Sequence, residues 1–271
     1  EYAEIPYDKI YDSAIVMGVL PKYDWLHLHH EDFTGQYGKF YAAYRSYPWY
    51  QDQVREAEAY AKMLGFSKVS ELKLAVAKNI KQFVAGGGFL FTMCSGTDSF
   101  DIALAAEGAD ICERMYDGDP ADPQAQSKLN FNETFAFEKF KLERDPLVYE
   151  YSNIDGTDLH RTGRVTERTD NFTLFDFSAK WDIVPTMLTQ CHTSEISGFM
   201  GQTTDFRKEV IKPNVLVMGE NKLLNTARYI HGELGQGTWT FYGGHDPEDY
   251  EHKVGDPPTD LNLHPNSPGY R

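Results

Sequence analysis

Cys94 has the residue type and the sequence setting of a catalytic nucleophile. It follows the short apolar run 89–93, and a turn of small residues leads from it into a second apolar stretch at 99–106. A thiol at a turn between a strand and a helix is lifted off the sheet, and the helix N-terminus favours its thiolate form. The backbone N–H groups that follow, beginning at Ser95, can hold an oxyanion. The alternative is a free cysteine buried at the end of a core strand.

His245 is the candidate general base for this thiol. The strand-like run 238–242 leads through two glycines to His245, and Asp246 and Glu248 follow it. A nearby carboxylate can orient the imidazole and stabilise its cation. We choose Glu248 because the side chain directly after His245 points to the other side of an extended chain. Together with Cys94 these residues predict acyl transfer through a thioester, and a structural turn histidine is the alternative.

A third polar cluster, residues 27–38, follows the first predicted strand. Its glycine-rich part contains Gly35 and Gln36, whose backbone N–H groups are candidate donors to an oxyanion. His30 and Glu31 precede them and are expected to line the pocket. The plainer interpretation is a hydrogen-bonded loop at the pocket rim.

Histidines near this cluster suggest a metal site as a less favoured alternative. His29, His30 and His192 are the candidate ligands, and His192 is otherwise expected in a loop that lines the pocket. Zinc sites commonly use closely spaced histidine or cysteine pairs, and no such spacing is present here. The sequence therefore predicts no metal and no cofactor.

The elements around these residues predict an α/β fold. Apolar residues recur every fourth position from Leu72 to Val84, which indicates a helix over 68–85, and a further helix is expected at 48–64. Alternating strands and helices predict a mostly parallel sheet with helices on both faces and ligands at the carboxyl ends of its strands. Strands are expected near 24–29, 89–93 and 215–218, with a hairpin at 227–242.

The region from about 109 to 180 differs in pattern. Residues 131–137 and 171–177 alternate apolar and polar side chains, which predicts antiparallel strands. Because strand-like runs resume afterwards, we expect a β-rich insertion in a single domain that spans 1–271.

Composition excludes several classes of function. The formal net charge is −15, whereas a nucleic-acid groove would need a basic stripe. No apolar run is long enough to cross a bilayer, so no membrane span is expected. The three cysteines are an odd number, which does not suit a disulfide scaffold.

The cysteine turn and the Gly-His-Asp-Pro-Glu sequence at 244–248 resemble the class I glutamine amidotransferase-like superfamily, in particular its ThuA-like branch. The chain is most similar to Bacteroidetes proteins labelled "asparagine synthetase B". That similarity is carried by Tyr23–Gly38, Trp181–Gln190, Gly198–Phe206 and Ala227–Asp249.

The resemblance implies a flavodoxin-like sheet, with Cys94, His245 and Glu248 as the catalytic residues. Two departures are visible: Thr92 replaces the first glycine of the turn, and Asp246 is inserted between the histidine and the proline. The implied substrate is a small amide or ester. The alternative is a non-catalytic protein that binds a carbohydrate or a protein partner. The resemblance further implies a periplasmic or cell-surface location, and a chain that lacks a first strand and helix and a last helix.

Overall fold

The computed structural model of the protein describes residues 6–157, 171–174, 195–197 and 205–244. The α-helices are α1 (Asp12–Val16), α2 (Tyr41–Tyr44), α3 (Pro48–Met63), α4 (Val69–Ala85), α5 (Ser95–Ala105), α6 (Arg114–Asp117) and α7 (Ala125–Lys128). The strands are β1 (Trp25–Leu28), β2 (Phe89–Met93), β3 (Asn171–Leu174), β4 (Glu195–Ser197), β5 (Phe206–Arg207), β6 (Leu216–Asn221), β7 (Thr226–Leu234) and β8 (Gly237–Tyr242).

The strands form one sheet in the order β1-β2-β8-β7-β6-β3-β4, and β5 pairs with β7. Strands β1, β2 and β8 are parallel, with Leu26 opposite Leu90 and Leu90 opposite Trp239. Beyond β8, the sheet continues through β7, β6, β3 and β4, and each neighbouring pair is antiparallel. The predicted α/β fold is confirmed, and each strand and helix predicted around Cys94 is present.

Helix α4 covers the parallel part of the sheet. Its predicted apolar stripe is buried, with Leu72, Val76 and Ile80 almost without solvent exposure. Burying such side chains stabilises the fold by about 1.5–3 kcal/mol each. The helix approaches β8 so closely that a side chain at Gly237 would collide with the carbonyl oxygen of Val84. The close approach of helix and strand therefore requires glycine at this position.

Helices α4 and α5 contact each other and β2, so they lie on the same face of the sheet. Phe100 of α5 joins Trp239 and Phe241 of β8 in the core beneath them. Apart from this core, Phe91, Met93, Cys94, Tyr229 and Tyr242 pack together in a second, small cluster.

The insertion differs from the prediction at 131–137. These residues form turns, and Phe137 makes a single β-bridge with Ile211. The backbone N–H groups of Phe135, Ala136 and Phe137 donate to the buried carboxylate of Asp101, at 2.7, 2.7 and 2.9 Å. The predicted strand is wrong here, because the Asp101 carboxylate accepts hydrogen bonds from the N–H groups that would otherwise pair with a neighbouring strand. The second predicted strand, at 171–177, begins as predicted and forms β3.

No helix in the described part of the chain is long and apolar enough to cross a membrane.

Candidate active site at the Cys94 turn

Cys94 lies between β2 and α5 in a backbone conformation that few residues adopt. Its φ is 51° and its ψ is −137°, and α5 begins at the next residue. A non-glycine residue in this region is strained, and such strain clusters at functional sites. The Cys94 N–H donates to the carbonyl oxygens of Tyr242 and Gly244, at 3.2 and 2.9 Å. The end of β8 thus holds the turn, and the predicted strand, turn and helix are confirmed.

The packing of Gly96 against Thr92 makes this turn tight. A Cβ atom at Gly96 would lie 2.6 Å from Thr92 Oγ1. Thr92 occupies the position where the resembled family has a glycine, so its side chain takes up the space on one side of the turn. Gly96 must therefore remain without a side chain for α5 to start directly after Cys94.

The surroundings of the thiol oppose the thiolate that the sequence predicts. Cys94 is only 3% exposed, and the pKa of its thiol is raised to about 12, chiefly by burial. The carboxylates of Asp98 and Asp155 contribute to this rise, while hydrogen bonds from the backbone N–H and the hydroxyl of Ser95 oppose it. The start of α5 does stabilise the sulfur through Ser95. Burial and the two carboxylates outweigh this stabilisation, so the net shift of the Cys94 pKa is upward and disfavours the thiolate.

His245, Asp246 and Glu248 lie outside the described residues, and so does His192. Gly244 precedes His245 in the sequence, and the Gly244 carbonyl oxygen accepts the Cys94 N–H at 2.9 Å. The last described residue before His245 thus lies beside the cysteine. The roles of the three residues stay predictions.

The loop after β1 docks on the start of α5. The Phe33 N–H donates to the Ser99 hydroxyl oxygen at 3.2 Å, and that hydroxyl donates to the Ser95 carbonyl oxygen and lies 3.3 Å from the Glu31 carbonyl oxygen. The rings of His29 and His30 lie edge to face, with centroids 3.8 Å apart. The loop is therefore a neighbour of the turn at Cys94, and its role as a pocket wall stays a prediction.

Within this loop, the predicted pocket residue Glu31 contacts groups other than Cys94. The Glu31 carboxylate forms an ion pair with Lys73 of α4, which also pairs with Asp12 at 2.8 Å. Burial raises the pKa of Glu31, and the ammonium group of Lys73 opposes this rise.

Gly35 and Gln36 likewise serve the loop itself. Gly35 has a φ of 80°, and a Cβ atom there would lie 2.8 Å from the Ser70 nitrogen. The Gln36 side-chain amide donates to Thr34 Oγ1 at 3.1 Å. None of these contacts includes Cys94, so the oxyanion role of the two residues stays a prediction.

A cluster of side chains whose spacing could suit a metal ion lies away from His29 and His30 in the sequence. Asp110, Cys112 and Asp117 place their ligand atoms within 4.8 Å of one another. The Lys68 ammonium group lies in this cluster, 2.6 Å from the Asp110 carboxylate and 2.8 Å from that of Asp117. A protein cation thus balances these carboxylates. His29 and His30 belong to no such cluster among the residues described.

Sequence reasoning missed the polar groups around the thiol. Asp98 lies one helical turn after Cys94, a spacing that could have indicated it. Asp155, Tyr149 and Tyr151 come from the irregular insertion, and all lie within electrostatic range of Cys94. Asp155 forms a β-bridge with Phe206, a contact that no local sequence pattern predicts.

Two solved structures resemble the chain weakly. Cytoplasmic Protein STM3548 from Salmonella typhimurium is 10% identical, with 89% of this chain and 65% of that chain covered and a TM-score of 0.32. Cytoplasmic Protein STM1381 from Salmonella typhimurium LT2 is 11% identical, with 89% of this chain and 71% of that chain covered and a TM-score of 0.38. The chain thus spans less than two thirds of the length of the first. Such scores carry no argument about function.

No protein family model and no curated protein matches the chain. The predicted periplasmic or cell-surface location is corrected, because both structural neighbours are described as cytoplasmic proteins. No location is assigned in its place.

Proposed function

We propose that the protein is a cysteine-dependent hydrolase or amidotransferase-like enzyme that acts on a small amide or ester. The observation that carries this proposal is the backbone of Cys94, with its φ of 51° and ψ of −137° between β2 and α5. A buried structural cysteine has no need of this conformation, whereas a nucleophile at the carboxyl end of a parallel strand does. The implied relationship to the glutamine amidotransferase-like superfamily belongs to the same proposal.

The chemistry follows from the neutral state of the thiol. A general base, for which we propose His245, takes the thiol proton while the sulfur attacks the substrate carbonyl carbon. The carbon–sulfur bond forms as the carbonyl π electrons move onto oxygen. The bond to the leaving amine or alcohol then breaks, the leaving group receives the proton, and a thioester remains on Cys94. Water, deprotonated by the same base, hydrolyses the thioester and restores the thiol.

Mass spectrometry after exposure to small esters and amides tests this function. We expect an acyl group on Cys94 in the native protein and no turnover by Cys94→Ser. Cys112→Ser is the matched control, because it removes another buried thiol and should keep full activity. Hydrolysis that persists in Cys94→Ser would contradict the proposal.

The second candidate is a binding protein that keeps the fold without catalysis. The observation in its favour is the thiol itself, which is 3% exposed and has its pKa raised to about 12. Inert structural cysteines have such surroundings. The aromatic cluster of Phe91, Tyr229 and Tyr242 beside it would then contact a carbohydrate or a protein partner. This candidate predicts that Cys94→Ala binds its ligand as the native protein does.

A further inference from the structure

A cavity of about 200 Å³ lies between α1, α3, α4 and the loop that follows β1. Its inner wall is apolar and buried, and is formed by Ile15, Phe33, Val76 and Ile80. Because a cavity of about 150 Å³ with a similar lining can hold a benzene molecule, this one admits an apolar group of that size. Among the described residues that line it, Cys94 is absent.

Three charged side chains line the same cavity. The Lys73 ammonium group lies 2.8 Å from the Asp12 carboxylate and also pairs with the Glu31 carboxylate. Lys73 and Asp12 are 17% and 18% exposed, and Glu31 is 35% exposed. Two carboxylates thus share one ammonium group, which leaves the lining with a net negative charge. Partly buried charges are screened less than surface charges, so this excess attracts a cation into the cavity.

Aromatic rings favour a cation at the same place. Tyr11 and Tyr60 line the cavity together with Phe33. The face of an aromatic ring attracts a cation that lies within about 6 Å of its centroid. The ammonium group of Lys9 already takes such a position, 5.6 Å from the centroid of the Tyr11 ring. Lys9 follows Asp8 in the sequence, and both are exposed, so the pair adds no net charge to the lining.

The elements that carry the two carboxylates are held in place by contacts of their own. The Ser13 N–H of α1 donates to the Tyr60 hydroxyl oxygen of α3 at 3.2 Å, and α1 also packs against α4. On the other side of the cavity, the Ser99 hydroxyl oxygen lies 3.3 Å from the Glu31 carbonyl oxygen. Side chains on elements fixed in this way are preorganised for a ligand.

We propose that this cavity binds a small organic cation, a primary ammonium ion whose apolar body is about the size of a benzene ring. The apolar body packs against the inner wall, and the ammonium group donates hydrogen bonds to the carboxylates of Glu31 and Asp12. Both carboxylates can accept these bonds while they pair with Lys73, because an ionised carboxylate has about four lone-pair sites. The site does not use the Cys94 thiol, so the inference is independent of the proposed acyl transfer.

Isothermal titration calorimetry of the full chain with benzylammonium chloride at neutral pH tests the proposal. Benzyl alcohol has the same apolar body without the charge, and benzoate carries the opposite charge. We expect benzylammonium to bind about tenfold more tightly than benzyl alcohol, and benzoate to bind more weakly than either. Equal affinity for the three compounds, or a Kd for benzylammonium above about 10 mM, would overturn the inference.

Two variants then locate the bound cation. Glu31→Gln and Asp12→Asn each remove one carboxylate and keep the shape of the side chain. The Kd for benzylammonium should rise by about tenfold in each variant, whereas the Kd for benzyl alcohol should not change. The matched control is Glu107→Gln, which removes the partner of another α4 lysine, Lys78, outside the cavity and should leave both values unchanged.

Native affinity for benzylammonium in the cavity variants would place the ligand elsewhere and overturn the inference. Glu31 and Asp12 lie on different elements, so each variant serves as a test if the other fails to fold, and thermal melting reports which of them is folded. Acylation of Cys94 enters none of these measurements. A protein that binds benzylammonium but forms no thioester would refute the proposed function and support this site.

Discussion

Cys94 and Cys112 are both buried thiols, 3% and 0% exposed, and burial raises the pKa of each. Their sulfurs are held in opposite ways. The Cys112 thiol donates to the Thr34 carbonyl oxygen at 3.2 Å, an interaction that requires the proton. The Cys94 sulfur accepts hydrogen bonds from Ser95, an interaction that strengthens when the proton leaves. Burial and the direction of the pKa shift therefore do not distinguish the two thiols, whereas the hydrogen bonds to Ser95 and Thr34 do.

The two cysteines also differ in backbone conformation and in the elements that flank them. Cys94 has a positive φ and immediately precedes the eleven-residue helix α5. Cys112 lies in irregular chain between α5 and α6, where its N–H donates to the Asp110 carboxylate at 2.9 Å. The first arrangement orients a sulfur at the end of a strand, and the second joins two loops across the core.

The largest expected effect comes from removing the base that a neutral thiol needs. His245→Asn should slow acetylation of Cys94 by p-nitrophenyl acetate by about 10⁴-fold, because a thiol whose pKa is about 12 scarcely ionises alone at neutral pH. Intact mass against time gives the rate. His264→Asn, in the same terminal segment, is the control and should react normally. A native rate in His245→Asn would place the base elsewhere.

Alkylation by iodoacetamide measures the difference between the two thiols directly. At neutral pH, Cys94 should react about 10³-fold more slowly than a free thiol whose pKa is about 8.5, and Cys112 more slowly still. Because the folded pKa is raised, the Cys94 rate should keep rising tenfold per pH unit well above pH 9. A free thiol has levelled off by then.

Peptide mapping after labelling separates the two sites, and labelling in urea gives the unfolded reference for each. Rapid reaction of Cys94 at pH 7 in the folded protein would show that a cation near the sulfur lowers its pKa. The two cysteines would then differ in charge state as well as in geometry.

The Cys94 turn could be predicted from sequence because local pattern determines it. An apolar run, small residues and a helical stretch fix β2, the turn and α5 within a few residues of one another. Helix α4 could be predicted for the same reason, since its apolar positions repeat with the helical period.

The electrostatic surroundings of the thiol could not be predicted. They depend in part on Asp155, which lies in an irregular segment far along the chain. Residues 131–137 show a related difficulty. Their alternation fits a strand, yet the Asp101 carboxylate binds three of their backbone N–H groups. Long-range contacts of this kind leave no periodic signal in the sequence.

A smaller effect is expected from filling the space beneath Cys94. Gly96→Ala places a Cβ atom 2.6 Å from Thr92 Oγ1, so one of the two side chains must shift. We expect the free energy of unfolding in urea to fall by about 1–3 kcal/mol. The paired variant Thr92→Ala with Gly96→Ala removes the hydroxyl and should recover part of this loss. Simple addition of the two single losses would show that the contact does not matter.

The smallest effect concerns the carboxylate that orients His245 for its reaction with Cys94. Asp246 directly follows the histidine, so in extended chain its side chain points to the opposite side, whereas Glu248 comes after Pro247, which bends the path. We therefore expect Glu248→Gln to slow acetylation of Cys94 by about tenfold or more, and Asp246→Asn to slow it less. Alkylation of unfolded Cys94 and Cys112 should be the same in both variants, since no oriented imidazole remains there. A greater loss in Asp246→Asn would give the orienting role to the inserted aspartate, and the resemblance to the amidotransferase-like family would then fail at this residue while the Cys94 turn stands.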